Sequence, residues 1–389
     1  MARVYLDHNA TSPLRPQARA AMLAALDALG NPSSIHAEGR AAKALLEDAR
    51  ETVAKAIGAA RRNVVFVSGA TEAANLALSP NIEVQRNAAP FDVLLIGAGE
   101  HACVLQGHRF PPQAVEHIAL NADGTLSLEA LDAALNKNQG GRAMLALQAV
   151  NNETGVIQPV AAAAARVHAA GGLLVCDATQ AVGRIDTTFM TTDADILFFS
   201  SHKLGGPTGV GALALRDDSL HLANPVLRGG GQEYGRRAGT ENVAGVVGFA
   251  AAVAASIAKA PQESARLAAL RDALEHKVLK VAPNAQFYGR EAGRSANATA
   301  FALPGLDART LLMALDLEGV ALSAGSACSS GKITESHVLA AMGAQEKAAL
   351  RASLGWSSTA EDVEEFGKVL AGVVDRMRSR HSAAQAPAP

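Results

Sequence analysis

Five short apolar runs constrain the fold of this chain more than any other feature. They lie at Val64–Val67, Val93–Ile96, Ala143–Ala149, Leu173–Cys176 and Ile196–Phe199. Helical or loop segments separate them, and strands that alternate with helices in this way predict a mostly parallel sheet with helices on both faces. We expect polar side chains that follow these strands to converge in the crevice at the carboxyl edge of the sheet.

The pattern of the chain changes after about residue 260. An amphipathic helix and shorter strands, at Ala298–Leu303 and Val320–Leu322, follow there. We therefore predict a large α/β domain over residues 14–260 and a smaller α+β domain over 261–380. The N-terminal segment 1–13 is expected to join the small domain. Residues 381–389, rich in Ala and Pro, predict a disordered tail.

Composition excludes several classes of protein. The formal charge is −2 with no basic blocks, which argues against direct nucleic-acid binding. The N-terminus becomes charged too early for a signal peptide, and Val243 to Ala258 is apolar but short for a membrane span, so it predicts a buried helix. Three distant cysteines without a C-x-x-C indicate neither a metal site nor a disulfide framework. A cytoplasmic protein with no membrane contact is expected.

The run Ile196–Phe199 leads directly into Ser200, His202 and Lys203, and glycines follow. A partly desolvated lysine at the end of a buried strand has a lowered pKa and can form a Schiff base. That chemistry suits pyridoxal phosphate, which needs one amine, a carboxylate at its ring nitrogen and donors for its phosphate. A surface lysine after an edge strand is the alternative on this stretch alone.

Two further strand ends supply what such a cofactor needs. Ser68 to Glu72 forms a small-residue turn into a helix, where backbone N–H groups near Ala70 and the Thr71 hydroxyl could hold a phosphate. Asp177 ends another strand and could pair with a pyridinium nitrogen, and Gln180 could contact the ring oxygen. Each motif alone is also compatible with an ordinary strand–helix turn or cap, so it is their order along one sheet that favours function.

The remaining candidates are a histidine, an amide and a thiol. His101 follows a strand and could stack on a cofactor ring and move protons, or be a partly buried structural histidine. Asn152 supplies an amide at the same edge or closes a turn. Cys328 lies among small residues that cannot fill a core, which indicates an exposed, mobile loop with one reactive thiol, or else an incidental surface cysteine. Cys176 is expected in the core, and Cys103 is a weaker alternative nucleophile.

Together these stretches resemble the NifS/IscS-type cysteine desulfurases, in the class V aminotransferase-like group of pyridoxal-phosphate enzymes. The matching segments keep the same order from about residue 4 to 370. They are Tyr5–Thr11, Asn31–His36, Ser68–Asn75, Glu100–His101, Asn151–Gly155, Asp177–Gln180, Ser200–Lys203, Gly229–Asn242, Gly325–Cys328 and Arg351–Leu354. The resemblance implies fold type I, with a seven-stranded sheet in the large domain.

The resemblance also implies roles. Lys203 would form the Schiff base, Cys328 would accept sulfur from L-cysteine as a persulfide, and His101 would stack on the ring. The other cofactor contacts would come from Asp177, Gln180, Ala70, Thr71, Ser200, His202 and Asn152, and from Thr240 of a partner subunit in a homodimer. Asn152 and Arg351 would hold the substrate carboxylate.

The same resemblance implies L-alanine as product and an acceptor protein, such as an iron–sulfur scaffold, as partner. His8, Arg184 and Thr208 depart from the residues that are frequent in the family, namely Asn, Lys and Lys. The alternatives are a selenocysteine lyase, another class V lyase or aminotransferase, or a catalytically silent scaffold. Cys328 argues against transamination, which needs no thiol. The sequence does not distinguish general cluster assembly, nitrogenase maturation and tRNA thiolation.

Overall fold

The computed structural model describes residues 3–85, 89–324, 335–346 and 348–385. Its strands are β1 (Val4–Tyr5), β2 (Val64–Val67), β3 (Ile82–Val84), β4 (Val93–Gly97), β5 (Val115–Ile118), β6 (Ala143–Gln148), β7 (Leu173–Asp177), β8 (Ile196–Ser200), β9 (Gly211–Leu215), β10 (Leu220–Leu222), β11 (Gln286–Tyr288), β12 (Ala298–Ala302), β13 (Val320–Ala321), β14 (Ser323–Ala324) and β15 (Leu350–Ser353).

The helices in the same residues are α1 (Pro16–Leu26), α2 (Ala37–Ile57), α3 (Ala70–Ala77), α4 (Ala102–Leu105), α5 (Leu128–Lys137), α6 (Val160–Ala169), α7 (Phe189–Thr192), α8 (Val243–Ile257), α9 (Ala260–Val281), α10 (Ala308–Leu317), α11 (His337–Ala341) and α12 (Ala360–Gln385). Local signals explain several of the ends. The His36 side chain accepts from the Gly39 N–H at the start of α2, and Gly58 ends that helix with a φ of 68°.

The large domain is built on a seven-stranded sheet in the order β2-β9-β8-β7-β6-β4-β5. The pairings between β5, β4, β6, β7 and β8 are parallel, and β9 runs antiparallel to both of its neighbours. The predicted fold class is therefore confirmed. Because β2 runs in the same direction as β8, the carboxyl ends of β2, β4, β6, β7 and β8 lie at one edge.

Each strand of this sheet except the edge strand β5 buries both of its faces. Successive residues belong alternately to two cores, so that Leu197 and Phe199 pack on one side, and Ile196 and Phe198 on the other. The first side is covered by α1, α2, α5, α6 and α8, with α8 packed against α1 and α2. Val243–Ile257 is apolar on most of its surface because it lies between two other helices.

The C-terminal part forms a four-stranded antiparallel sheet in the order β11-β12-β15-β14. Helices α9 and α12 pack on each other beside it. β1, from the start of the chain, pairs in parallel with β13, and Val4 and Leu6 lie in the same core as Phe301 and Phe366. The N-terminal segment thus leaves this sheet layer and runs on toward the large domain.

Three details differ from the sequence expectations. Pro16 predicts the start of a helix that runs to about Gly30, but α1 ends at Leu26, because Leu26 and Leu29 are 66% and 82% exposed and no packing supports another turn. The expected strand Val320–Leu322 is two short strands, since β13 pairs with β1 and β14 pairs with β15. Residues 381–385 of the expected tail continue α12 to Gln385, and 386–389 lie outside the described residues.

In the part of the chain that the structure describes, no single helix has the length and apolar character needed to cross a bilayer. One consecutive pair, Val243–Ile257 and Ala260–Val281, meets both criteria only when combined, and the two helices meet at a 73° bend.

Candidate active site

A cavity of about 460 Å³ lies at the carboxyl edge of the large sheet. Most of the candidate residues from the sequence meet in its wall. They are Ala70, Thr71, His101, Asn152, Asp177, Gln180, Ser200, His202, Lys203 and Arg351. Convergence was expected for residues that follow parallel strands, and Arg351 reaches the same cavity from β15 of the small sheet.

Lys203 lies in the short 3-10 turn Ser201–Leu204, which begins as β8 ends. Gly205, with a φ of 80°, closes this turn in a conformation that favours glycine. The Lys203 Nζ donates to the carbonyl oxygens of Asn9 and Ala10, at 2.7 and 2.8 Å. The amine is thus fixed at the cavity wall by oriented backbone acceptors, and it faces a segment almost 200 residues away in sequence.

Asp177 is buried at the end of β7, and the backbone N–H of Thr179 donates to its Oδ1 at 2.8 Å. Burial raises the pKa of this carboxyl, although the Thr179 hydrogen bond and the charges of His101 and Lys203 oppose the shift. No ion pair within 4.0 Å satisfies it among the described residues. A cationic ring nitrogen beside it would reverse the penalty that burial imposes.

His101 caps the short helix α4, and its Nδ1 accepts from the backbone N–H of Cys103 at 3.1 Å. Because a backbone N–H can only donate, a neutral His101 ring carries its proton on Nε2. The neighbouring Glu100 is fully buried, and its Oε1 accepts from the Gln148 N–H at 2.8 Å. Burial raises the pKa of Glu100 well above its ordinary value.

One end of the cavity is suited to a phosphate. The N-cap of α3 is Gly69, which offers no side-chain cap, so the first N–H groups of this helix are left for a ligand. Ser200 and His202 lie beside it, and burial next to Lys203 lowers the pKa of His202 to about 4. Strand β9 passes so close that a Cβ on Gly211 would lie 2.8 Å from the Gly69 Cα.

Arg351 is held in the opposite wall. Its Nη1 donates to the backbone oxygen of Asn152 at 3.0 Å, and its Nη2 pairs with Asp7 Oδ1 at 2.8 Å. The Nε is buried without a partner in the described part of the protein. Asn152 and Arg351, both assigned to the substrate carboxylate, therefore lie in contact through the guanidinium and the Asn152 backbone oxygen, and their role stays a prediction.

The contacts of Asn9 were not predicted from the sequence, and Arg184 was noted only as a position where the resembled family frequently has Lys. Asn9 accepts from Lys203 and from Gln180 Nε2 through its backbone oxygen, the latter at 3.0 Å. Arg184 donates to Asn9 Oδ1 at 2.8 Å, to the Lys203 oxygen at 3.2 Å, and to Gln180 Oε1. Burial and the Arg351 charge lower the pKa of Arg184 to about 9. Only the polar character of the Tyr5–Thr11 motif hinted at these contacts.

Two candidates are not among the described residues of the cavity wall. Thr240 is exposed and is not among the residues that line the cavity. Cys328, with the Gly325–Cys328 motif, lies outside the described residues.

Cys176 is fully buried in the sheet core, and Cys103 is buried in the cavity wall beside His101. In the described ranges, no group of three or more His, Cys, Asp or Glu side chains could hold a metal ion.

The residues present fit pyridoxal phosphate. The cavity combines uncapped helix N–H groups and hydroxyls at one end with a buried carboxylate, whose pKa burial raises, and a lysine amine. Its volume lies in the range of ordinary ligand pockets, roughly 300–1,000 Å³. Lys203, Asp177, Gln180, His101 and the Ala70–Thr71 turn are the groups that would hold this cofactor.

Comparisons with known proteins agree with this geometry. Residues 4–366 match the family model for aminotransferase class-V. The chain is 38% identical to a cysteine desulfurase from Cereibacter sphaeroides, covering 97% of each protein. It is also 38% identical to an IscS-like cysteine desulfurase from Mycobacterium tuberculosis, covering 96% of this chain and 97% of that one. A solved NifS-like protein from Rickettsia africae superposes with a TM-score of 0.85 at 30% identity, covering 96% of this chain and 99% of that one.

Proposed function

The chain belongs to the class-V aminotransferase family, within its cysteine desulfurases, and from this premise we propose that it converts L-cysteine to L-alanine and retains the sulfur as a persulfide. The observation that carries the proposal is the convergence of Lys203, Asp177, His101 and Arg351 on one cavity. As a member of this family the protein is a pyridoxal-phosphate-dependent enzyme.

Pyridoxal phosphate, when bound, supplies an aldehyde for Schiff-base formation and a ring that accepts electrons from the substrate Cα. Side chains of the protein supply charge stabilisation, substrate binding and proton transfer. Asp177 keeps a positive charge on the ring nitrogen favourable, and Arg351 binds the substrate carboxylate. Lys203 would hold the cofactor aldehyde, and its amine, when free, would take the proton from the substrate Cα. The carbonyls of Asn9 and Ala10 give the released ammonium a place to bind.

The sulfur step is assigned to Cys328. Its thiolate attacks the substrate Sγ, the Cβ–Sγ bond breaks, and the bonding electrons stay with the carbon fragment. Protonation of that fragment at Cβ and release from the enzyme give alanine, so one L-cysteine and one thiol yield one L-alanine and one persulfide. We assign proton transfer with the substrate thiol to His101, whose neutral ring carries its proton on Nε2.

We also infer a homodimer in the cytoplasm that passes sulfur to an acceptor protein such as an iron–sulfur scaffold. Thr240 supports the dimer, since it is exposed and is not among the residues that line the cavity of its own chain. A role for Thr240 in phosphate binding therefore requires a second subunit. A reducing compartment suits an enzyme that depends on a reactive thiol.

Turnover of L-cysteine by the cofactor-loaded protein tests the function. Alanine and sulfide should form in the presence of a reductant, and Lys203→Ala should reduce both by orders of magnitude. Lys55→Ala is the matched control, because the Lys55 side chain is 75% exposed on α2. Alanine production by Lys203→Ala at the wild-type rate, or borohydride reduction that labels a different lysine, would remove the assigned site.

Sedimentation velocity tests the dimer. The wild-type protein should sediment as a dimer, and Thr240→Ala should lose cofactor faster on dialysis than Thr52→Ala, whose hydroxyl bonds only to the Asp48 oxygen in its own helix. A monomeric protein with full activity would contradict the dimer and leave the chemistry of the cavity unaffected.

A further inference from the structure

Arg351 is held on two sides by other parts of its own chain. Its Nη1 donates to the Asn152 oxygen at 3.0 Å, and its Nη2 pairs with Asp7 Oδ1 at 2.8 Å. The Arg351 and Asp7 side chains are only 6% and 17% exposed. The long guanidinium side chain is therefore fixed before any substrate arrives, and the Asp7 carboxylate fixes it most strongly because it carries the opposite charge.

The Nε of Arg351 is left without an acceptor. It is buried, and no group in the described part of the chain accepts its hydrogen. A buried donor without an acceptor costs free energy, so the guanidinium of Arg351, which lines the cavity, is incompletely paired before any substrate binds. A carboxylate can bind the Nε edge of a guanidinium with two parallel hydrogen bonds.

Asp7 itself has little freedom to move away. Its Oδ2 accepts from the Ser323 hydroxyl at 3.0 Å, and Ser323 lies directly opposite Arg351 in the pairing of β14 with β15. The backbone of Asp7 forms a parallel bridge with Ser353, and the next N–H, of His8, donates to the Ser353 oxygen at 3.1 Å. Both carboxylate oxygens are thus engaged, and the backbone is tied to the same strand as Arg351.

We propose that Asp7 is the positioning residue of substrate recognition, holding the Arg351 guanidinium in the cavity wall where it binds the α-carboxylate of the amino-acid substrate. The inference rests on the proposed function, which makes Arg351 the carboxylate-binding group. Arg184, a second buried cation close to Arg351, keeps the site attractive to an anion although Asp7 already neutralises part of the Arg351 charge.

A purely structural ion pair is the competing explanation, because Asp7 also joins the N-terminal segment to β15. The two roles differ in what a substitution changes. A structural pair affects the free energy of unfolding and the yield of folded enzyme. A positioning residue affects the KM for L-cysteine and the affinity for L-alanine, which carries the same carboxylate and no thiol, and changes kcat little.

The experiment uses the cofactor-loaded enzyme. Asp7→Ala should raise the KM for L-cysteine about tenfold or more, should weaken L-alanine binding in calorimetry by a similar factor, and should keep kcat within about twofold. Asp7→Asn keeps an acceptor oxygen and should recover most of the affinity. Ser323→Ala removes only one support of Asp7 and should raise KM a few-fold. Asp316→Ala is the control, since it breaks the exposed Arg3–Asp316 pair.

Unchanged KM and unchanged L-alanine affinity in Asp7→Ala, or a fall in kcat alone, would overturn the proposal. If Asp7→Ala does not fold, Ser323→Ala and Asp7→Asn decide by the same two measurements, and wild-type KM in Ser323→Ala then counts against it. Arg351→Ala distinguishes a failure of the Asp7 role from a failure of the proposed carboxylate site. A raised KM there with wild-type KM in Asp7→Ala overturns the Asp7 role alone, whereas unchanged KM in Arg351→Ala removes the carboxylate site itself.

Discussion

Two buried polar regions of the protein differ in how completely their hydrogen-bonding and charged groups are paired. In the first, which we call the loop anchor, Arg50 and Glu233 form a bidentate ion pair with distances of 2.5 and 2.9 Å. Glu233 also accepts from the Phe66 N–H at 2.9 Å, and Arg50 donates to the Val64 oxygen at 2.9 Å. Both side chains are only 2% exposed.

In the active-site cavity, charged groups of similar burial are left incompletely paired. Arg351 Nε has no partner among the described residues, and Asp177 has a raised pKa because it is buried. This contrast distinguishes buried polar groups that stabilise the fold from those that are left to bind a ligand. Complete pairing in the loop anchor holds Glu233 and Tyr234 at φ values of 49° and 57°, and so fixes the Gly229–Asn242 loop. Incomplete pairing in the cavity is what a ligand-binding site requires.

The largest expected effect on stability is at the loop anchor. Glu233→Ala leaves a buried guanidinium without its counterion and should lower the free energy of unfolding by about 3–5 kcal/mol. Urea unfolding with fluorescence or circular dichroism measures the change. Asp218→Ala breaks the exposed Arg62–Asp218 pair and should cost about 1 kcal/mol or less. Equal losses in the two variants would show that the anchor is not the special region proposed here.

A smaller effect on stability is expected at His8, which lies in the N-terminal segment where this segment contacts β15. It is 1% exposed, contacts Ser12 and Ser358, and faces Arg184, Arg15 and Arg266. Burial, with these three cations, lowers its pKa to about 3.

Between about pH 6.5 and 3 the unfolded chain therefore binds a proton at His8 that the folded chain does not, so stability falls as the pH falls. From pH 7.5 to 5.0 this group should cost roughly 2 kcal/mol. His8→Gln should remove that part of the acid loss in urea titrations at the two pH values. An identical pH dependence in wild type and His8→Gln would contradict the burial of a neutral imidazole.

The smallest stability effect is expected at Asp177, and its sign is opposite to that at Glu233. Its folded-state pKa is raised, so the charged form destabilises the cofactor-free protein increasingly as the pH rises through that pKa. Asp177→Asn should therefore leave thermal stability at pH 7.5 equal or higher, while alanine production falls by orders of magnitude. A clear loss of stability without the cofactor would place Asp177 with the loop anchor rather than with the site.

The parts of the site that lie at strand ends could be predicted from the sequence. Lys203, Asp177 and His101 each follow an apolar run, and parallel strands must bring their carboxyl ends together. The parts that depend on long-range packing could not. Asp7 meets Arg351 across 344 residues, and Asn9 meets Lys203 across 194, and no local pattern encodes such pairings.

The same distinction explains the errors in the fold. Five strands of the large sheet were predicted from local apolar runs: β2 has the predicted bounds, β4, β7 and β8 are one residue longer, and β6 is one residue shorter. Strands β5 and β9 were not predicted. Strand Val320–Leu322 is broken because its two halves pair with β1 and with β15, which come from opposite ends of the chain. The loop anchor joins Arg50 to Glu233 over 183 residues and was missed for the same reason.

The central claim is that sulfur from L-cysteine passes to Cys328, and mass spectrometry of the enzyme after brief exposure to L-cysteine without reductant tests it most directly. We predict an adduct of about 32 Da on the peptide that contains Cys328. Cys176→Ala should not change it, because Cys176 is fully buried in the sheet. Cys328→Ala should still bind L-cysteine but lose the adduct and nearly all alanine production. An adduct on Cys103 instead, or wild-type alanine production by Cys328→Ala, would contradict the account.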